Sequence, residues 1–334
     1  MNSALLDSVN GYRGKAVLVT GAAGAIGSVL CRELAKHGAR ILAIDDLSAS
    51  CRWNLPESAN LSFILSDILD EDKMTKAFFE RPKVVFHLAS LFANQNSLDH
   101  PERDLMVNGM GTLRMLSLSK QFGVERFVYT SSSAAYDGIA SLPASEICTS
   151  RQLRTPYQIT KVLGEEYCKF FTFHHGLSIA IARVFNCYGP GEIPGKYRNV
   201  VPNFVYSAMK GLPLPITGTG AETRDFTFVV DVVEGLLAMG ILEDVAGLTL
   251  NLGSGIETSI LELAKMINRE VGNKAGMCYK PRRKWDSQVR RLASTKLSLE
   301  LMDFRALTEL SEGLRLTIHW FRENWECIQS NVVF

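Results

Sequence analysis

Ala16-Val17-Leu18-Val19-Thr20-Gly21-Ala22-Ala23-Gly24-Ala25-Ile26-Gly27 is the stretch on which the fold turns. Residues 16–20 form a short apolar, β-prone run, three glycines follow at a spacing of three, and apolar residues then recur at helical intervals over 26–37. A strand that turns through glycines into a helix lets backbone amides approach a pyrophosphate, and the helix N-terminus adds partial positive charge. Composition alone would place such a triplet in a chain like this about 0.15 times, so its position between strand and helix carries the reading. Gly21, Gly24, Ala25, Ile26 and Gly27 are the candidate dinucleotide contacts.

Working outward, strand-like runs recur at 40–45, 61–66, 83–88, 126–130 and 178–184, and amphipathic stretches such as 102–122 lie between them. Strands alternating with helices imply an α/β fold, a Rossmann-type doubly wound parallel sheet covered on both faces. After Asn186 the texture changes to a Gly- and Pro-rich passage at 188–196, then to mixed elements with helical patterns near 261–271 and 314–324. The expected division is a dinucleotide-binding domain over 1–185 and a smaller lobe over 186–334, with a return to the sheet at about 226–256, where strand, helix and strand follow one another. At 334 residues the chain is long enough for two such lobes.

The second strand ends in Asp45-Asp46. An acidic residue there accepts hydrogen bonds from an adenosine ribose and repels a 2′-phosphate, which favours NAD over NADP. Asp67, at the end of the third strand, is placed to meet the adenine amino group. Lys+Arg 36 against Asp+Glu 35 leaves a formal charge of +1 and no electrostatic footprint of a nucleic-acid binder. The seven cysteines contain no C-x-x-C pair and the six histidines no H-x-x-x-H, so neither a disulfide framework nor a metal site is expected. No apolar run suits a signal peptide or a membrane span, and a cytoplasmic protein is expected.

Tyr157 and Lys161 share a helical face one turn apart. About 0.4 Y-x-x-x-K matches are expected by chance, and Tyr206 with Lys210 is a second, read as a helix-surface pair. Context separates them: Ser131-Ser132-Ser133 follows an apolar strand about 25 residues before Tyr157, at the edge where an open parallel sheet presents side chains to its ligand.

These motifs, with His87-Leu88-Ala89, Asn108, Gly111-Thr112, the run from Arg183 to Pro190, Gly218-Thr219-Gly220, residues 223–226, Asp231, Asn251-Leu252-Gly253, and Arg283 with Asp286, stand in an order that resembles the extended short-chain dehydrogenase/reductases. The resemblance spans residues 15–300 and is closest to the nucleotide-sugar epimerase/dehydratase branch. It implies NAD as cofactor, Tyr157 as base assisted by Lys161, and Ser132 or Ser133 as the residue holding the sugar hydroxyl. It also places Ile68, Leu88, Ala89, Ser90 and Asn108 at the cofactor. Substrate binding is implied for Ser132, Asn186, Val201, Pro202, Ile216, Arg224, Arg283 and Asp286, with 200–203 and 214–216 enclosing a base that in this family is most often uridine. Arginine suits a diphosphate through its planar paired donors.

Dehydratases of this branch carry acidic residues after the catalytic hydroxyl, and Ser133-Ala134 stand there instead. The remaining simple outcome is return of hydride to the opposite face of a 4-keto sugar, a 4-epimerisation of a UDP-hexose or UDP-hexuronate. A dehydratase or decarboxylase, and a net dehydrogenase or reductase that exchanges its cofactor, are the alternatives. Asp137 departs from the family pattern and could reach the site, and counting from Asp286 puts Arg290 beside the sugar. Apolar stripes (Leu105, Leu113, Leu116; Val162, Tyr167, Phe170, Phe171) suggest a homodimer through a four-helix interface.

Overall fold

The computed structural model describes residues 10–139, 141–150, 152–286 and 288–334. Seven parallel strands form the central sheet: β1 (Ala16–Thr20), β2 (Arg40–Asp45), β3 (Leu61–Leu65), β4 (Val84–His87), β5 (Arg126–Ser132), β6 (Ile179–Val184) and β7 (Thr249–Leu252). Their order is β7-β6-β5-β4-β1-β2-β3. The chain winds outward from β1 through β3 and then returns to start the other half at β4, so the direction of winding reverses between β1 and β4. Ligands of open α/β sheets bind outside the carboxyl ends at such a reversal.

β1, β4 and β6 are buried along their whole length because helices cover both faces. Successive side chains alternate between two cores: Val17, Val19 and Phe86 point to one, Leu18 and Val85 to the other. Helix α1 (Ala25–Lys36) covers the first face and α2 (Glu71–Phe79) the second. The next labelled helices in order are α3 (Asn94–Asp99), α4 (Thr112–Phe122), α5 (Pro156–His175), α6 (Val200–Met209), α7 (Val229–Met239), α8 (Ile260–Val271) and α9 (Leu310–Glu323). The core of the first face runs without a break into the C-terminal lobe through Phe204, Val205, Leu263, Leu314 and Phe321. The chain re-enters the sheet as β7 after α7, so residues beyond 186 belong to both lobes.

The pattern over 102–122 is one unbroken helical run with a widened middle. A short turn, Pro101–Asp104, leads into a widened π segment, Leu105–Gly111, and then into α4. Gly111 sits against Ile68, where a Cβ would lie 2.5 Å from Cδ1. Wide turns of this kind are concentrated at functional sites, and this one carries Asn108. Among the described residues no helix is long and apolar enough to cross a membrane.

Candidate active site

The start of α5 is dictated locally. Thr155 caps the helix, Pro156 occupies its first position, and Gln158 completes a capping box by accepting from the Thr155 amide. Tyr157 is thereby fixed in the first turn, with Lys161 one turn below. Gly164 lets the helix press onto β5: a Cβ there would stand 2.2 Å from the Tyr129 hydroxyl, which itself donates to the Lys161 carbonyl at 3.3 Å. Lys161 Nζ donates to the Thr130 carbonyl at 2.9 Å and lies 5.8 Å from the centre of the Tyr157 ring.

Of the three serines, Ser132 shares a hydrogen bond with Tyr157 and also accepts from the Ala134 amide at 3.1 Å. Ser133 is buried in the following turn, and Ser131 donates to Glu165. Phe92 meets the Tyr157 ring edge-on at 6.0 Å. Burial pushes the Tyr157 hydroxyl up to about 12, opposed by the Ser132 hydrogen bond and the Arg291 charge and reinforced by Asp104. Burial also brings Lys161 down to about 8 against the pull of Asp104 and Glu165. Tyr157 can therefore act as a base only where neighbouring positive charge, Lys161 first, draws its proton off.

Beneath the site, Arg183 and Glu165 form a fully buried bidentate pair with N–O distances of 2.9 and 2.7 Å. The Arg183 guanidinium lies 4.6 Å over the Tyr136 ring, and Tyr136 donates to Asn251 Oδ1 at 2.7 Å. This network ties β5, β6, β7 and α5 together under the serines.

The glycine turn fits a dinucleotide. Gly21 has φ +68° and lies so close to the turn after β4 that a Cβ would stand 2.8 Å from the Ala89 amide. A Cβ on Gly27 would meet the Gly21 carbonyl at 2.2 Å. Gly24 caps α1 without a side-chain hydrogen bond, leaving the first helical amides for a ligand. Ala25 and Ile26 follow in that first turn. His87 links β1, β4 and the start of α4 through Thr20 Oγ1 at 2.8 Å and Thr112 Oγ1 at 3.1 Å, and burial holds it neutral, near 3.

Several expected contacts are engaged internally. Asp45 accepts from the amides of Ala23 and Leu47, each at 2.9 Å, and from Ser50 Oγ at 2.7 Å, so its carboxylate first holds the turn together. Asp46 is more exposed and bonds Ser48. Asp67 accepts from the Leu69 amide and pairs with Arg103. Asn108 spends its amide on Leu91, Asp104 and Thr160, clamping the loop after β4 to α5. Ile68 is buried in the second core, and Leu88 and Ala89 line the turn beside Gly21. Ser90 Oγ, in contrast, is buried without a partner.

On the substrate side, Asn186 Oδ1 is likewise buried and unpartnered at the carboxyl end of β6. Arg224 is buried among the carbonyls of Thr223 and Val289 and the carboxylate of Asp286. Burial and the neighbouring Arg291 lower it to about 10. Arg283 is exposed, its guanidinium 5.6 Å from the Trp285 ring. Ile216 and Val201 are fully buried and point into the first core, because 214–217 alternates inward and outward and α6 turns its apolar stripe to the lobe interior. Pro202 is buried on the same helix. The residue that faces the site is Arg291; Arg290 turns out to solvent and pairs with Glu257. Neighbours in an extended segment point to opposite sides, so only one of the two arginines can enter.

α3 ties the loop after β4 to the N-terminus of α5 and to segments beyond residue 186. Asn94 accepts from Thr155 Oγ1 at 2.6 Å, Gln95 from Trp285 Nε1 at 2.9 Å, and Asp99 from Tyr197 at 2.7 Å and Lys196 at 3.1 Å. Ala93, just before this helix, has φ +85°. Phe92, Gln95 and Trp285 were not foreseen, since no local motif marks residues whose meeting depends on how the lobes pack.

The model of the NAD dependent epimerase/dehydratase family matches residues 17–253. An epimerase from the thermophilic methanogen Methanothermobacter thermautotrophicus has a similar structure, with 49% identity, 99% of each chain covered and a TM-score of 0.98. The UDP-glucose 4-epimerase of Mycolicibacterium smegmatis is 34% identical over 309 residues, 91% of this chain and 98% of that one. A UDP-N-acetyl-alpha-D-glucosaminuronate decarboxylase of Bacillus cytotoxicus is 32% identical over 321 residues, 92% and 98% respectively. With its glycine turn, its Tyr157/Lys161 helix and these matches along its length, the chain belongs to the NAD-dependent epimerase/dehydratase family.

Proposed function

We propose that the protein epimerises C4 of a nucleotide-diphosphate sugar, with a UDP-hexose or UDP-hexuronate as substrate. Bound NAD supplies reversible hydride transfer at that carbon. Tyr157 takes the proton of the C4 hydroxyl, and Ser132 holds the hydroxyl oxygen and then the carbonyl. Asn186, Arg224 and Arg283 with Asp286 serve the diphosphate, and residues 200–203 and 214–216 the base, through backbone and outward-facing side chains. Residues 1–185 with the returning strand hold the cofactor, and most of 186–334 grips the substrate.

The observation that carries this choice is the state of the nearby carboxylates. Elimination or decarboxylation chemistry in this site would call on a free acid or base beside Tyr157. Asp104 is engaged by Thr160 and Asn108, Glu165 by Arg183 and Ser131, and Asp137 by Gln158 and Arg291. Asp137 therefore does not act on the sugar directly.

The test is NMR of UDP-, GDP-, CDP- and dTDP-sugars incubated with enzyme carrying only its own NAD. A C4 epimer forming without added cofactor supports the reading; loss of a C6 oxygen or release of CO2 overturns it. A homodimer is supported by Leu105, Met106 and Met110 on the π segment and Ile159, Phe170 and Phe173 on α5, all exposed. Leu116 and Phe171 pack against their own sheet instead. Light scattering of the eluting protein at twice 37.0 kDa is the expected result.

A further inference from the structure

The departure at Asp137 and the inward turn of Arg291 meet in one buried cluster. The segment 289–291 runs extended beside residue 223, through hydrogen bonds from the Thr223 amide to the Val289 carbonyl and from the Arg291 amide to the Thr223 carbonyl. Arg291 leaves it toward the interior, its side chain 13% exposed, with one terminal nitrogen 3.0 Å from Asp137 Oδ1. Asp137 is 2% exposed, and its other oxygen accepts from Gln158 Nε2 at 2.6 Å. Gln158 follows Tyr157 directly on α5, and its own carbonyl is pinned by the amides of Arg154 and Thr155. Arg291 Nε is buried and has no partner. The cluster thus fixes a guanidinium from the C-terminal lobe to the residue beside the catalytic tyrosine, with the carboxylate behind it and an unspent donor left over.

We propose that Arg291 is a second cation of the catalytic site, and that Asp137 and Gln158 are positioning residues that hold it facing Tyr157. This rests on Tyr157 being the base. When the buried tyrosine cedes its proton, the charge on its oxygen is stabilised from the α5 side by Lys161 and from the C-terminal lobe by Arg291. The remaining groups around it are Asp104 from the short turn before the π segment, which opposes that charge, Asp137, whose carboxylate pairs with Arg291 and screens part of its charge, and Ser132 and Tyr129 from β5, which are neutral. Phe92, from the loop after β4, is apolar. A lone lysine would have to work against Asp104 and against complete burial; the added cation offsets both.

The experiment is the pH dependence of kcat/KM for the NAD-loaded enzyme, with the tyrosinate absorbance titration as a second readout and Tyr157→Phe as its blank. In Arg291→Met the acidic limb and the tyrosinate titration both move to higher pH, by on the order of one unit. Arg291→Lys, which keeps the charge, restores most of that shift. Asp137→Asn lowers kcat/KM roughly fivefold or more, mainly through kcat, with thermal midpoint and bound NAD retained. If Arg291 only ties the lobes together, Arg291→Met lowers the melting temperature and leaves both titrations where they were, which overturns the proposal. Asp137→Asn with parental kcat/KM removes the positioning role. A Tyr157→Phe protein that still turns over defeats the assignment of the base itself, an outcome distinct from both.

Discussion

Burial sets the ionisation of single residues here, and Glu192 shows it outside the catalytic cluster. Its carboxyl is buried, accepts one long hydrogen bond from the Asn199 amide at 3.4 Å, and is pushed up to about 7, with Arg198 the chief opposing charge. An acid whose folded pKa exceeds its unfolded value, near 4.5, favours the fold at low pH and loses that contribution as pH rises toward 7. Glu192→Gln should therefore raise the melting temperature at pH 8 and change it little at pH 4, read by thermal melts at both. Tyr157→Phe should cut turnover by roughly 10²–10⁴-fold while NAD stays bound. Tyr206→Phe should do little, because Tyr206 packs on Trp325 and Phe334 at the surface of α6. That Tyr157, Lys161 and Ser132 come together was legible because strand end and helix start place them locally. Arg291 was not, because counting residues through 286–291 does not say which way an extended segment faces.

At the scale of elements, the strength of the site lies in how α5 is seated. Its N-terminus is held by the capping box, its middle by Gly164 against Tyr129, and its inner face by Glu165 paired with Arg183. Arg183→Met would leave the Glu165 carboxylate buried without its cation. Removing one partner of such a pair costs about 3–5 kcal/mol, so the variant should show a markedly lower urea midpoint while Lys169→Met, which breaks an exposed pair with Glu166, stays close to the parent. Strands and helices of the first half were readable from apolar period alone. The π segment was not: its widening answers to Gly111 packing on Ile68 and to Asn108 reaching Leu91, contacts between parts of the chain about 40 and 17 residues apart.

For the whole molecule, alternation of strand and helix implied a parallel sheet, and the return of the chain at β7 was visible as a strand, helix and strand after residue 226. The continuity of the core was not visible, because composition changes at residue 186 while packing does not. Since α6, α8 and α9 bury their apolar stripes in the same core as β1 and α7, the two lobes should unfold together. Calorimetry of the NAD-loaded protein should give one transition whose van't Hoff and calorimetric enthalpies agree; two separated transitions would show that the lobes are independent. The bridge formed by α3 bears on time rather than stability. Its ties to Thr155, Trp285, Tyr197 and Lys196 are all side-chain hydrogen bonds, with no strand pairing among them. Such a helix can swing away without disturbing the sheet, so its backbone amides should exchange with solvent deuterium far sooner than those of β1 or β4. Local openings of this helix would then recur many times per global unfolding event.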